Sequence, residues 1–186
     1  MAMTASNMMP LGTKAPSFNL IDTVTDKVKS LEELCGEKGT VIAFICNHCP
    51  FVIHVNPEMV KVANTYNEKG IRFIAISSND VSNYPQDAPH LMKEKAVEEG
   101  YIFPYLYDKT QEVAKAYDAA CTPDYYLFDE NLELVYRGQF DNSRPGNGIP
   151  VTGSDLKNAM NALLDGREID EIQKPSIGCN IKWKVA

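Results

Sequence analysis

The stretch Cys46-Asn47-His48-Cys49-Pro50 carries two thiols separated by two residues, with a proline directly after the second. It follows the apolar run Thr40-Val41-Ile42-Ala43-Phe44-Ile45, and residues with helical spacing follow it. A strand, a turn bearing a dithiol and a helix are expected, with both cysteines on the first helical turn. A helix N-terminus offers unpaired N–H groups and a partial positive charge. A sulfur held there loses its proton more easily, and the thiolate is the reactive form. Cys46 is expected nearest the helix end and the solvent, as the nucleophile. Cys49 is expected to be more covered and to resolve a mixed disulfide from within. That is the chemistry of thiol–disulfide exchange.

The elements that must hold this dithiol can be read along the chain. Val41 to Ile45 is apolar without alternation, which predicts a strand covered on both faces. Val52, Val55, Met59, Val62, Ala63 and Tyr66 recur at helical spacing, and Pro57 is expected to kink or divide that helix. Gly70 ends it, and Ile71 to Ile76 forms the next buried strand. Before the dithiol, Ala15 to Leu20 reads as a short extended segment and Val28-Lys29 as a second short strand. Ser30-Leu31-Glu32-Glu33 reads as a capping box. After it come a helix starting at Asp87, a short strand Tyr105–Tyr107, a short helix over 111–117 and a hairpin of 125–128 with 132–136. Residues 138–153 form a long loop, and Ser154 caps a last helix bearing Leu156, Met160 and Leu163. The order β-α-β-α-β-α-β-β-α predicts an α/β fold, a central mixed sheet flanked by helices on both faces. Residues 1–14 are expected as a mobile lead-in, 15–166 as the domain and 167–186 as a tail packing back through Ile172, Ile177, Ile181 and Trp183.

Composition bounds the partners. Of 186 residues, 18 are Lys or Arg and 25 Asp or Glu, a net charge of −7, with no long basic run. Nucleic acid and anionic membrane are therefore not expected as partners. No stretch approaches the roughly 20 apolar residues of a membrane span. The opening residues lack a basic region followed by an apolar block, so a cytoplasmic location is expected. Five cysteines at irregular spacing, Cys35, Cys46, Cys49, Cys121 and Cys179, make a poor disulfide framework.

The chain resembles the thioredoxin superfamily, and more closely the redoxin group that shares features with the alkyl hydroperoxide reductase/peroxiredoxin family. The matching pieces are Ala15-Pro16-Ser17-Phe18-Asn19-Leu20, Phe44 to Val52 around the dithiol, Cys121-Thr122-Pro123-Asp124, Tyr136-Arg137-Gly138 and Ser176-Ile177-Gly178-Cys179. The resemblance implies a thioredoxin-like fold in which Pro123 is cis and faces the dithiol. It also implies that the Thr122 backbone pairs with an extended substrate peptide, as a strand adds to a sheet edge. A positively charged His48 beside Cys46 would favour the thiolate and move the couple from roughly −270 mV toward about −120 mV. The alternative is that His48 points to solvent.

Cys121, next to the proline pair, and Cys179, on the tail, are each either a further redox partner or a packed thiol. Cys35 is expected to be buried. The expected partners are a disulfide-bearing protein or small-thiol substrate and a reductant of thioredoxin or glutathione type. No cofactor is expected, and no resident metal, since a zinc site usually needs a second ligand pair and there is no other C-x-x-C or H-x-x-H. Two alternatives stand beside the exchange reading. A thiol peroxidase lacks the Thr and Pro of the peroxiredoxin pocket in either cysteine register. A copper or zinc carrier would use Cys46, Cys49 and a histidine such as His48.

Overall fold

A computed structural model describes residues 3–185. Its centre is a seven-stranded mixed sheet in the order β3-β2-β6-β5-β4-β8-β9. These strands are β2 (Asn19–Asp22), β3 (Lys27–Ser30), β4 (Gly39–Phe44), β5 (Ile71–Ser77), β6 (Tyr105–Tyr107), β8 (Asp124–Asp129) and β9 (Leu134–Gly138). β4 pairs parallel with β5, and β5 with β6, while the remaining neighbours are antiparallel.

The apolar run of β4 is explained by burial on both faces, every residue being covered. Val41 and Ala43 pack with Val52 and Met59 of α2 (Pro50–Asn67), Met92 of α3 (Pro89–Glu98) and Leu156 of α5 (Ser154–Leu164). Ile42 and Phe44 face the other way, against Tyr126, Phe128 and Tyr117, with Leu31 of α1 (Leu31–Leu34) and Ala114 of α4 (Glu112–Ala116). Each such buried Ile or Phe contributes about 1.5–3 kcal/mol. Helices therefore lie on both faces, as expected. The capping box forms: the Glu33 N–H donates to Ser30 Oγ at 3.2 Å, and the Ser30 N–H donates to Glu33 Oε2 at 2.9 Å.

Several expectations are corrected. Pro57 does not divide α2. It removes the donor for the Ile53 carbonyl, but both residues lie on the exposed face of the helix, where water can serve. Ser154 is not the cap of α5; Gly153, at φ 65°, is. The preceding turn is held instead by Asp141, which accepts from the Thr152 and Gly153 N–H groups at 2.7 and 2.6 Å. Cys35 is only half-buried.

The largest difference lies at the chain ends. A second, three-stranded sheet runs β1 (Met3–Ala5), β10 (Ile177–Asn180), β7 (Cys121–Thr122), all antiparallel. The expected lead-in is thus a strand, followed by the buried Met9. Met1, Ala2 and Ala186 lie outside the described residues. Of the tail's apolar residues Ile181 enters the core, Ile172 stands exposed and Trp183 is 40% exposed. The tail docks through β10 and backbone hydrogen bonds more than through the side chains expected to carry it.

Candidate active site

The parallel strands β4 and β5 end side by side, and the Ile45 N–H still donates to the Ile76 carbonyl at 2.9 Å. The chain then turns through Cys46 to Cys49. The helix begins only at Pro50, with Cys49 as its N-cap at φ −68° and ψ 122°. The two cysteines therefore precede the first turn rather than ride on it. Pro50 carries the signal that locates this start, because a proline is favoured at the first helical position, where its missing N–H costs nothing.

The turn is pinned from below by one buried carboxylate. Asp87 Oδ1 accepts the Asn47 N–H at 2.8 Å, and Asp87 Oδ2 lies 2.7 Å from His48 Nδ1 and accepts from Asn79 Nδ2 at 2.8 Å. The His48 ring stacks on Tyr84, with centroids 5.6 Å apart. The Tyr105 hydroxyl donates to Asn47 Oδ1 at 3.1 Å. Sequence reasoning treats Asp87 as a helix start. The cap of α3 is Ala88, and the Asp87 side chain turns to the dithiol loop instead. His48 thus neither points to solvent nor acts as a lone positive neighbour, because its ring nitrogen faces a carboxylate.

The sulfurs meet at the other wall of the site. The Thr122-Pro123 peptide is cis, as the resemblance implied. Cys46 Sγ lies 3.6 Å from Thr122 Oγ1, and Cys49 Sγ lies 3.2 Å from the Thr122 carbonyl oxygen. Cys179 comes in from β10 with its sulfur 2.8 Å from that of Cys49. Cys121 is adjacent in sequence, but its sulfur approaches the Pro123 and Ser176 carbonyls at 3.8 and 3.9 Å, away from the pair. Both Cys46 and Cys49 are thiols buried to 2% and 0% exposure, so the expectation of a solvent-facing Cys46 is corrected.

Electrostatics divide the pair. Cys46 is pushed well up, first by the hydrogen bond that keeps its proton directed at Cys49, then by burial and the nearby Asp87 charge. Cys49 is lowered to about 5, chiefly by that same hydrogen bond from Cys46 and further by those from the Cys179 thiol and the Thr122 hydroxyl, which together outweigh burial. The Val52 N–H at the helix start adds to this, although it falls short of a formed cap hydrogen bond. Burial, and then its contact with Cys49, pushes Cys179 up to about 12. Above about pH 5 the reduced pair therefore shares one proton, with the charge favoured on Cys49. In an ultraviolet titration of the reduced protein, thiolate absorbance should rise with a midpoint near pH 5. Cys49→Ser should abolish that step; a midpoint that stays near the ordinary thiol value in the wild type would exclude this arrangement.

Two expected binding features change. The Thr122 edge assigned to a substrate strand is occupied by β10, with Cys179 opposite Thr122 and Asn180 opposite Cys121. Ligating atoms of Cys46, His48 and Asp87 lie within 4.8 Å of one another, so these three could close on a cation. Both Asp87 oxygens already accept hydrogen bonds, however, and a metal would have to replace those contacts.

Solved structures and curated sequences resemble this chain. A crystal structure of an uncharacterized conserved protein from Geobacillus kaustophilus is 59% identical, with a TM-score of 0.98 over 100% of this chain and 98% of that one. The thiol-disulfide oxidoreductase ResA of Bacillus thuringiensis (strain Al Hakam) is 27% identical over 127 residues, 68% of either chain. A thiol:disulfide interchange protein of the thioredoxin family from Chlorobium tepidum TLS has the same fold, with a TM-score of 0.63 at 19% identity over 84% of this chain and 99% of that one. The fold is thioredoxin-like, as the sequence resemblance implied. Redoxin is the family that matches residues 10–159, most of the chain, and the protein belongs to the redoxin family.

Proposed function

We propose that this redoxin is a thiol–disulfide oxidoreductase that works through the dithiol Cys46/Cys49. The observation that carries the reading is the placement of both cysteine sulfurs at the start of α2, against Thr122 and beside the cis proline. As a substrate disulfide approaches, the Cys46 proton passes to the Cys49 sulfur, and the Cys46 thiolate attacks one substrate sulfur. The S–S bond breaks, and the second substrate sulfur departs and takes up a proton. Cys49 then attacks the Cys46 sulfur, forming the Cys46–Cys49 disulfide, while its proton passes to the departing sulfur and the first substrate thiol is released. The protein is now oxidised by two electrons. A reductant of thioredoxin or glutathione type restores the dithiol by the reverse exchange. Pro123 and Thr122 form the wall against which the reacting sulfurs are held.

Dithiothreitol-driven reduction of insulin tests the reading. Cys46→Ser should fall to the uncatalysed rate, and Cys49→Ser should accumulate a mixed disulfide on Cys46. Turnover by Cys46→Ser equal to wild type would sink it.

A further inference from the structure

Resting on the dithiol reading above, we propose that Cys179 is a third redox thiol of the site, taking over the Cys46–Cys49 disulfide by exchange at Cys49. The oxidised protein then holds either a Cys46–Cys49 or a Cys49–Cys179 bond.

The observation is the 2.8 Å between the Cys49 and Cys179 sulfurs, one on each side of the covered site. A disulfide needs about 2.05 Å, so the sulfurs must close by only about 0.75 Å. This proximity is built into the fold. Cys179 sits in register between Met3 and Thr122. Gly178 beside it passes so close to Thr122 that an added Cβ would overlap the Thr122 carbonyl oxygen. The segment is tied down on either side: the Ser6 N–H donates to the Ser176 carbonyl at 2.8 Å, and the Ile181 N–H to the Ala120 carbonyl at 3.1 Å. Beyond it the Lys182 N–H donates to Asn79 Oδ1 at 2.9 Å, and the Asp80 N–H to the Lys182 carbonyl at 2.8 Å. The strand thus lies on the Thr122 edge where an extended substrate would be expected, and it presents its own cysteine to the pair.

The exchange balances within the chain. The Cys179 sulfur forms a bond to Cys49 Sγ, and the Cys46–Cys49 bond breaks with its electron pair leaving on Cys46. The proton lost by Cys179 ends on Cys46. Nothing is oxidised or reduced overall, so no outside oxidant enters this step. Its product keeps the two oxidising equivalents while returning Cys46 to the thiol form.

The test oxidises the full-length protein with oxidised glutathione, quenches in acid, blocks remaining thiols and maps tryptic peptides by mass spectrometry. Cys46 and Cys49 share the peptide 39–61, and Cys179 lies in 168–182. Wild type should give both the internal disulfide in 39–61 and the cross-link from 39–61 to 168–182. Cys46→Ser should give neither, because it has no Cys46–Cys49 bond to be taken over, and Cys179→Ser should lose the cross-link while keeping the internal bond. The wild-type map needs no variant to fold, and circular dichroism checks the two that are used. An internal disulfide in wild type with no cross-link, or a cross-link that forms as well in Cys46→Ser as in wild type, overturns this role of Cys179 and leaves the dithiol reading standing. No internal disulfide in wild type or Cys179→Ser, with no insulin reduction, overturns the dithiol reading itself.

Discussion

Asp124→Asn should stabilise the protein by about 4 kcal/mol at pH 8 while leaving its stability near pH 4 almost unchanged. Asp124 opens β8, directly after the cis proline, and is completely buried. Its Oδ2 accepts the Tyr126 hydroxyl at 3.0 Å, and its Oδ1 has no hydrogen-bond partner among the described residues. Burial pushes the carboxyl up from 3.8 to about 7 against the smaller opposing pull of the Tyr126, Ser6 and Ser176 hydroxyls. An unfolded Asp releases its proton near pH 3.9, whereas the folded protein keeps it until about 7. In that window the native state binds more protons than the unfolded state, so rising pH favours unfolding. The penalty is absent below the unfolded pKa, grows through the window and is complete above the folded one. Each tenfold change in proton affinity is worth about 1.4 kcal/mol, so the rise to about 7 corresponds to about 4 kcal/mol. Asparagine keeps the shape and neutrality of the protonated acid and cannot ionise.

Cys49 slopes the other way. Its lowered pKa makes it a source of stability that is present above the unfolded thiol pKa and lost as pH falls through about 5. Wild type and variant share that contribution, so it cancels in the difference. Urea denaturation of each at about pH 4 and 8 reads the result. Parallel pH profiles for the two proteins would show that Asp124 is not held protonated by its surroundings.

What the sequence reveals of this molecule follows from the range of the interactions. β4 is legible because burial on both faces leaves an uninterrupted apolar run, and α2 because its buried positions repeat at helical spacing. The hairpin β8–β9 is legible because a polar turn joins neighbouring strands. The small sheet is not, since β1 and β10 come from opposite ends of the chain and each is too short to show a period. Asp87 escapes for a related reason. An Asp two residues before a proline is an ordinary helix-start signal, and nothing local says that its carboxylate reaches back to Asn47 and His48. The dithiol itself is legible as chemistry, but its exposure is not. Cys46 lies against Thr122, and the loop it opens is tied to Asp87, and no spacing rule connects either to it.

Gly178→Ala should cost about 3 kcal/mol or more and expose the dithiol. Gly178 is not required for an unusual backbone angle; it is required because another backbone lies against it. A Cβ there would overlap the Thr122 carbonyl oxygen and meet the Thr122 carbonyl carbon at 2.7 Å and Pro123 Cδ at 3.3 Å. None of these atoms is the end of a flexible side chain. Thr122 is held between β10 and the start of β8, whose Asp124 to Asp129 all pair with β4. The clash is therefore relieved by lifting β10 off β7. Overpacking of a fixed interior usually costs about 1–3 kcal/mol, and loss of the strand pairing adds to it. Lifting β10 also draws the Cys179 sulfur from Cys49 and opens the Thr122 edge. Alkylation of Cys49 by iodoacetamide in the folded, reduced protein should then accelerate at least tenfold, matching an opening made about 1.4 kcal/mol easier. Denaturation midpoints and mass-spectrometric mapping of the alkylated cysteine measure both effects on the same samples. Wild-type stability together with a wild-type alkylation rate at Cys49 would mean that β10 does not cover the dithiol in solution. A destabilised protein whose Cys49 stays protected would instead locate the cover in the Asp87 turn, on the opposite wall.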